Sequence, residues 1–141
     1  MEFFCNYIWE KGLRDKNEDS LCIRQVNREG KKYLLAAICD GIGGLEAGEH
    51  ASSFVVNSML ECFKKMVRRP GKLSGRSICN TFKRQIYRSH MQLRRYGKEK
   101  GIRLGTTLSM IMIVGRSCYV FHVGDSAVFA GKKCLKRMTP I

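Results

Sequence analysis

The sequence predicts an α+β fold in which antiparallel strands precede and follow two long helices, in the order βββ-αα-βββ. Short runs rich in β-branched and aromatic residues occur before residue 44 and again after residue 104, as is typical of strands. Between these regions, apolar residues recur at intervals of three and four, as is typical of helices with one buried face. Strands that are grouped on either side of the helices, rather than alternating with them, favour an antiparallel sheet.

Three strands are predicted in the first part of the chain. Aromatic and β-branched residues in Phe3–Trp9 predict the first, and alternating apolar residues in Ser20–Val26 predict the second. The turn residues 27–30 separate the second strand from the third, Lys32–Cys39, so these two strands should form a hairpin. A flexible loop is expected at 41–44, because its three glycines can adopt backbone angles closed to other residues.

Two helices are predicted at about 47–67 and 74–96. The motif Arg-Arg-Pro-Gly at 68–71 should end the first helix, because proline cannot continue a helix and glycine readily follows one. Three further strands are predicted at 106–114, 117–123 and 127–131.

The composition is that of an ordinary globular protein. A chain of 141 residues and 16.1 kDa is predicted to be a single domain, residues 1–141, that can bury a core. No stretch approaches the roughly 20 apolar residues that cross a bilayer, and the N-terminal sequence lacks the features of a secretory signal. The seven cysteines include no C-x-x-C pair, which argues against a zinc or redox site. We therefore expect a cytoplasmic protein with reduced, mostly buried thiols.

The net charge of +14 is concentrated in residues 62–104, which hold fourteen Lys/Arg and the single acid Glu99. Such a segment could bind nucleic acid, because clustered cations attract phosphate backbones. It could equally be a solvated helix face, or favour acidic phosphoprotein substrates or an anionic membrane surface. Because no helix-turn-helix, zinc-finger or RNA-binding motif accompanies it, specific nucleic-acid binding is not expected.

Carboxylates stand in three separated strings, each where an apolar run meets a turn. Glu18 and Asp19 belong to R-D-K-N-E-D-S, Asp40 to C-D-G-I-G-G, and Asp125 to H-V-G-D-S. Carboxylates at strand ends can converge on one point while the strands form the frame. Hard divalent cations such as magnesium and manganese prefer such an all-oxygen environment. The sequence therefore predicts a candidate metal-dependent enzyme.

Taken together, these strings resemble those of the PPM family of metal-dependent serine/threonine protein phosphatases, also called the PP2C type. The matching strings are G-L-R-D-K-N-E-D-S at 12–20, C-D-G-I-G-G at 39–44 followed by A-G-E-H-A-S at 47–52, G-T-T-L at 105–108, and V-G-D-S at 123–126. They stand in the family's order, and their wording is closer to the bacterial branch than to the animal one. The resemblance implies a partial PPM-type β-sandwich of antiparallel strands, with the two long helices packed on one face.

The resemblance also implies a metal cluster of Mg²⁺ or Mn²⁺. Asp40 would bridge two ions, and Glu18 with the carbonyl of Gly41 would complete the protein ligands of the second ion. Asp125 would help to hold a third, more weakly bound ion.

The remaining implied roles concern the substrate, a phosphoserine or phosphothreonine on a protein. Arg14 would bind the phosphate, because a guanidinium presents a rigid fork of donors to phosphate oxygens. Asp19 would orient metal-bound water without itself binding the metal. Water activated by the metals would attack phosphorus directly, so that no covalent enzyme intermediate is needed.

Three departures from the family pattern are visible. Ile42 stands where animal members have a histidine, and Ala127 stands where an arginine usually follows G-D-S. The family domain continues beyond Ile141, and its later part supplies two further aspartates to the first ion. We therefore expect a C-terminally truncated domain that is weak or inactive as a phosphatase. Unpaired strand edges and an apolar sheet face would favour self-association.

Two alternatives from other functional classes stay open. The first is a non-catalytic PPM-like module that binds phosphoproteins or a partner subunit, which the truncation favours and the intact set of acidic residues argues against. The second is nucleic-acid binding through the basic helices of 62–104. Thr106 and Thr107 are expected to hydrogen-bond within a sheet rather than to contact substrate, and His50 carries no special signal.

Overall fold

The computed structural model describes residues 2–43 and 47–140. These ranges form seven strands and two helices: β1 (Asp19–Arg28), β2 (Lys31–Gly43), α1 (Ala47–Arg68), α2 (Gly75–Lys100), β3 (Leu104–Thr106), β4 (Leu108–Val114), β5 (Ser117–Val123), β6 (Phe129–Ala130) and β7 (Lys136–Arg137). Five of the strands form one antiparallel sheet in the order β1-β2-β4-β5, with β3 paired to the end of β2. The strands β6 and β7 form a separate two-stranded ribbon.

Both helices pack against one face of the sheet, and α1 contacts β1, β2 and α2. Since successive residues of a strand point to opposite faces, every second residue of β2 and β4 meets the helices. The largest fully buried side chains of this core are Leu35, Met59, Phe63, Ile78, Phe82, Met110 and Met112. The predicted α+β class, with antiparallel strands and two long helices on one face, is confirmed.

The β1–β2 hairpin determines which residues face each other near the end of the sheet. Glu29 and Gly30 form its turn with φ angles of 51° and 71°, the left-handed pair that suits a two-residue hairpin. The turn sets a register in which Arg28 is opposite Lys31 and Asp19 is opposite Asp40. Two residues of the predicted metal site are therefore neighbours across this ladder.

The helices are joined by an exposed turn, residues 69–74. Arg28 donates through Nη1 to the carbonyls of Val67, at 2.6 Å, and Arg69, so that a guanidinium satisfies carbonyls at the end of α1. Ser74 caps the start of α2 by accepting from the backbone N–H of Ser77 at 3.1 Å. At the other end of α2, Gly101 is in the left-handed conformation with φ 66°, as is usual after a helix.

The sheet face opposite the helices is apolar and partly open to solvent. Strand alternation places Leu34, Ile38 and Ile111 on this face, and the side chain of Ile38 is 54% exposed. In the described ranges, no helix packs there. Such a face is a candidate for association.

The predicted first strand, Phe3–Trp9, is wrong, because residues 2–10 are irregular. Two side-chain bonds fix the segment to β1: Gln25 donates to the carbonyl of Phe3 at 3.2 Å, and the Trp9 indole donates to the carbonyl of Asp19 at 3.0 Å. Strand propensity alone does not make a strand, since a ladder needs a partner edge in register.

Three other predicted elements need correction. The loop expected at 41–44 is a strand as far as Gly43, because residues 41–43 pair with β3; Gly44 lies outside the described residues. Thr107 interrupts the predicted strand 106–114. The strand predicted at 127–131 is reduced to β6, and its partner β7 lies in a segment for which no strand was predicted.

The seven cysteines are all free, but the expectation that most are buried is wrong. Cys39 is buried, whereas Cys5, Cys118 and Cys134 are exposed. Among the described residues, neither helix is long and apolar enough to cross a membrane.

Candidate active site

Backbone hydrogen bonds bring three of the four predicted motifs together at one end of the sheet. The N–H of Gly41 donates to the carbonyl of Glu18 at 3.2 Å, and the N–H of Thr107 donates to the carbonyl of Asp40 at 2.9 Å. The segment before β1, the end of β2 and the β3–β4 junction are therefore bonded to one another. The prediction placed Glu18, Asp40 and Gly41 in one site, and the fold brings these residues together.

The carboxylate of Glu18 lies against the first turn of α1. A Cβ on Gly48 would be 2.7 Å from Cδ and from Oε2 of Glu18, and a Cβ on Gly41 would be 2.2 Å from the Gly48 carbonyl oxygen. Position 41 therefore requires glycine, because its close neighbours are backbone atoms, whereas a side chain at position 48 would displace the Glu18 carboxylate. Ser52 strengthens the contact by donating to the Glu18 carbonyl at 2.6 Å. The helix dipole favours a negative charge at this end of α1.

Asp19 and Asp40 are two further acidic side chains near Glu18 at this end of the sheet. Burial raises the pKa of Asp19, and the charge of Asp40 and a hydrogen bond between the two side chains raise it further. The charge of Glu18 acts in the same direction, whereas the guanidinium of Arg14 lowers the pKa of Asp19. These four side chains are thus close enough to interact electrostatically. Crowded carboxylates of this kind are stabilised when a cation is bound among them.

Two threonines fix the backbone of Asp40. The hydroxyl of Thr106 donates to the Asp40 carbonyl at 2.9 Å, and the hydroxyl of Thr107 accepts from the Asp40 N–H at 2.9 Å. The expectation that these hydroxyls bond within the sheet agrees with this arrangement. The sequence analysis missed that they hold a candidate metal ligand, although their place in the G-T-T-L string was a usable signal.

Asp125 is near this group but is not bonded to it. Ser126 and Thr107 share a hydroxyl hydrogen bond of 3.2 Å, and Gly124, with φ 106°, packs closely on Thr107. The V-G-D-S turn is thereby attached to the threonines that hold Asp40. The side chain of Asp125 is exposed, and no hydrogen bond between it and Glu18 or Asp40 is found in the described ranges.

A cleft of about 1400 Å³ opens beside the carboxylates. Arg14 and Glu18 line it together with His50 and Tyr96 of the two helices. The rings of His50 and Tyr96 are stacked with centroids 4.6 Å apart, which joins the first turn of α1 to the last turn of α2. The sequence analysis missed both rings as cleft residues, because their proximity depends on how the two helices pack.

The oxygen donors suit a magnesium or manganese site that is completed by water. Within residues 2–43 and 47–140, no three His, Cys, Asp or Glu side chains are grouped tightly enough to enclose a metal ion. Magnesium is commonly held by one or two carboxylates with several waters. Glu18, Asp40 and the Gly41 carbonyl provide a donor set of this kind, and nitrogen or sulfur ligands are not needed.

Comparison with known proteins identifies the class to which this fold and site belong. Residues 14–137 match the family model described as Protein phosphatase 2C. The chain belongs to this family.

Individual relatives agree with the family match. The chain is 26% identical over 130 residues to Probable protein phosphatase 2C 76 of Arabidopsis thaliana, covering 91% of this chain and 28% of the relative. It is 28% identical to a bacterial serine phosphatase of known crystal structure, with a TM-score of 0.72 and coverage of 92% and 51% of the two chains. The catalytic domain of the phosphatase PstP, solved in complex with 2 manganese ions, shares the fold at 24% identity, with a TM-score of 0.72 and coverage of 90% and 50%. The chain therefore spans about half of these solved domains and less of the plant relative.

Proposed function

We propose that this chain supplies the phosphate-binding and metal-binding residues of a phosphatase that hydrolyses phosphoserine and phosphothreonine on proteins. The observation that carries the proposal is the grouping of Arg14, Glu18, Asp19 and Asp40 beside an open cleft, in a chain of this family. A cleft lined by a guanidinium and carboxylates suits a phosphate ester and a divalent cation together.

Arg14 would bind the substrate phosphate. It is exposed at the cleft wall, and its guanidinium has no ion pair with a carboxylate in the described ranges. Its fixed fork of N–H donors matches the spacing of two phosphate oxygens. Lysine at this position would retain the charge and lose the paired geometry.

Glu18, Asp40 and the carbonyl of Gly41 would hold Mg²⁺ or Mn²⁺, and Asp125 would contribute to a further, weaker ion. A bound divalent cation supplies a water nucleophile at neutral pH and neutralises charge on the phosphate. The manganese ions of the PstP structure support this choice of metal. Asp19 would accept a hydrogen bond from a water next to Asp40, which holds that water in place for attack.

The same proposal predicts the substrate, the cellular compartment and the association state of the protein. The substrate would be a phosphoprotein, and free thiols such as Cys5 and Cys134 suit the reducing conditions of the cytoplasm. We expect self-association through the open sheet face around Ile38, which sedimentation at increasing concentration would detect.

Metal binding and hydrolysis together test the proposal. Titration calorimetry should show Mn²⁺ binding to the wild-type chain and at least tenfold weaker binding to Asp40→Asn. Phosphate release from a phosphothreonine peptide should be slow, should require Mn²⁺, and should be lost in Asp40→Asn. Circular dichroism controls for folding. Mn²⁺ binding that is unchanged in Asp40→Asn would overturn the assignment.

A further inference from the structure

A second concave site lies between the helices, outside the candidate active site. This α1–α2 groove has a volume of about 590 Å³. Phe54 and Met66 of α1 contribute apolar surface to it, and Gln85 and Gln92 of α2 contribute amide groups. The groove thus offers apolar contact together with side chains that can donate to and accept from a peptide backbone.

Four cations line the groove: Lys65 of α1, Arg69 directly after the end of α1, and Arg84 and Arg88 of α2. Arg84 and Arg88 are four residues apart on α2, so these like charges are neighbours on the helix surface and repel each other. All four side chains are exposed, and in the described part of the chain none of them forms an ion pair. Glu61, the one carboxylate among the described residues that line the groove, bonds instead to Lys64 at 2.7 Å.

All four cations affect the pKa of one thiol inside the groove, that of Cys62. The thiol of Cys62 lines the groove, and burial raises its pKa. Arg69, Lys65, Arg88 and Arg84 oppose this effect and lower the pKa of the same thiol. Four positive charges therefore converge on one region, where an anionic group would relieve their repulsion.

On both helices, residues that line the groove lie one helical turn from residues that line the candidate active-site cleft. His50 and Tyr96 line the cleft, whereas Phe54, one turn further along α1, and Gln92, one turn earlier in α2, line the groove. From Thr81 to Gln92 the groove follows α2 for about 17 Å, at 1.5 Å per residue. This length accommodates about five residues of extended peptide, at roughly 3.3 Å per residue.

We propose that the α1–α2 groove binds an acidic segment of the substrate protein, close in sequence to the phosphorylated residue that enters the cleft. This inference rests on the proposed phosphatase function for the identity of the bound protein. Four unpaired cations provide the charge complementarity, and the amides and apolar surface suit a polypeptide. Single-stranded nucleic acid is less suited, because it needs aromatic platforms for its bases. Of the described residues that line the groove, Phe54 is the one aromatic residue, and it is partly buried.

Fluorescence anisotropy with a labelled, unphosphorylated peptide of six glutamates, in buffer without metal, tests the groove independently of catalysis. The variant Arg84→Gln/Arg88→Gln should bind the peptide at least tenfold more weakly than the wild type. The matched control Lys83→Gln/Arg94→Gln removes two exposed charges from the same helix outside the groove, and should change affinity less than twofold. Circular dichroism of both variants checks that α2 is retained.

The results of this experiment distinguish binding of an acidic peptide in the groove from a general charge effect and from nucleic-acid binding. Equal losses in the two variants, or no binding to the wild type, would overturn the inference. Tighter binding of a six-nucleotide single-stranded RNA than of the peptide, with the same loss in Arg84→Gln/Arg88→Gln, would overturn it in favour of nucleic acid. Because the peptide carries no phosphate, Asp40→Asn should bind it like the wild type. A failure of the phosphatase proposal would thus leave this measurement unaffected.

Discussion

Asp19 and Asp40 are directly opposite each other in the β1–β2 ladder, and the charge of Asp40 raises the pKa of Asp19. Burial is the largest cause of the raised pKa of Asp19, and the neighbouring Asp40 adds to it. As we propose, a cation bound beside the two acids would relieve their repulsion.

The raised pKa of Asp19 predicts a pH-dependent effect of Asp19→Asn on the metal-free protein. Because the pKa of Asp19 in the folded protein lies above its ordinary value of 3.8, the contribution of Asp19 to stability is complete below pH 3.8 and is lost as the pH rises through the folded-state pKa. Asparagine removes this dependence. In urea unfolding, Asp19→Asn should therefore be more stable than wild type at pH 7, by a margin that shrinks toward pH 4. A margin that is the same at both pH values would contradict the assigned cause.

The close contact between Gly48 and Glu18 predicts a variant that alters the site without unfolding the protein. In Gly48→Ala, the new methyl group would displace the flexible Glu18 carboxylate rather than backbone. Alanine is also the better helix former. We expect an unchanged or higher melting temperature and at least tenfold weaker Mn²⁺ binding by calorimetry. Gly105→Ala is the control, because no atom lies within 4 Å of its added Cβ; a comparable loss there would remove the explanation.

The hydrogen bonds from the two threonines to Asp40 predict that Thr107→Val lowers the free energy of unfolding more than Thr106→Val does. In Thr107→Val, the N–H of Asp40 loses its acceptor at a buried position, which costs about 1–3 kcal/mol. In Thr106→Val, the Asp40 carbonyl still accepts from the Thr107 N–H, so the cost should be about 0.5–1.5 kcal/mol. Urea unfolding measures both. If Thr106→Val is the more destabilising, the Asp40 N–H is satisfied in some other way.

Burial of Cys39 predicts that this thiol is unreactive in the native protein. Burial raises the pKa of Cys39 to about 12, although a hydrogen bond with Thr106 lowers it somewhat. At pH 8 the reactive thiolate is therefore scarce. Mass spectrometry after brief iodoacetamide treatment should find Cys5 and Cys134 alkylated and Cys39 unmodified, with Cys39 modified only in urea. Rapid native labelling of Cys39 would show that this part of the core opens.

The elements that depend on local sequence were predicted well. The helix predicted at 47–67 is observed as Ala47–Arg68, and the hairpin of the second and third predicted strands is observed as β1 and β2. The end of α2 was predicted less well: residue 96 was expected to end the helix because a charged turn was predicted at 97–101, but α2 continues to Lys100. Gly97 is instead a contact position inside the helix, where a Cβ would lie 2.8 Å from the Ile102 carbonyl oxygen. Whether a glycine ends a helix or allows close packing depends on tertiary contacts.

The sequence motifs named the individual residues of the candidate site, but they did not predict the parts of the structure that surround it. Strand-end motifs indicated that Glu18 and Asp40 would be near each other, since a hairpin register relates them. The sequence contained no comparable signal for the His50–Tyr96 stack or the α1–α2 groove. These features arise from the packing of one helix on another, which a local pattern does not determine.

The turn between the two helices is far from the candidate site, so changes made in the turn should not affect that site. Since α1 has 22 residues, its last residue is about 32 Å from its first turn, where Gly48 lies against the Glu18 carboxylate. Arg28 secures the end of α1, and among the described residues no atom lies within 4 Å of a Cβ built on Gly71. Extra residues inserted after position 71 should therefore be tolerated. A fluorophore, an affinity tag or a surface tether attached there would leave the catalytic end free.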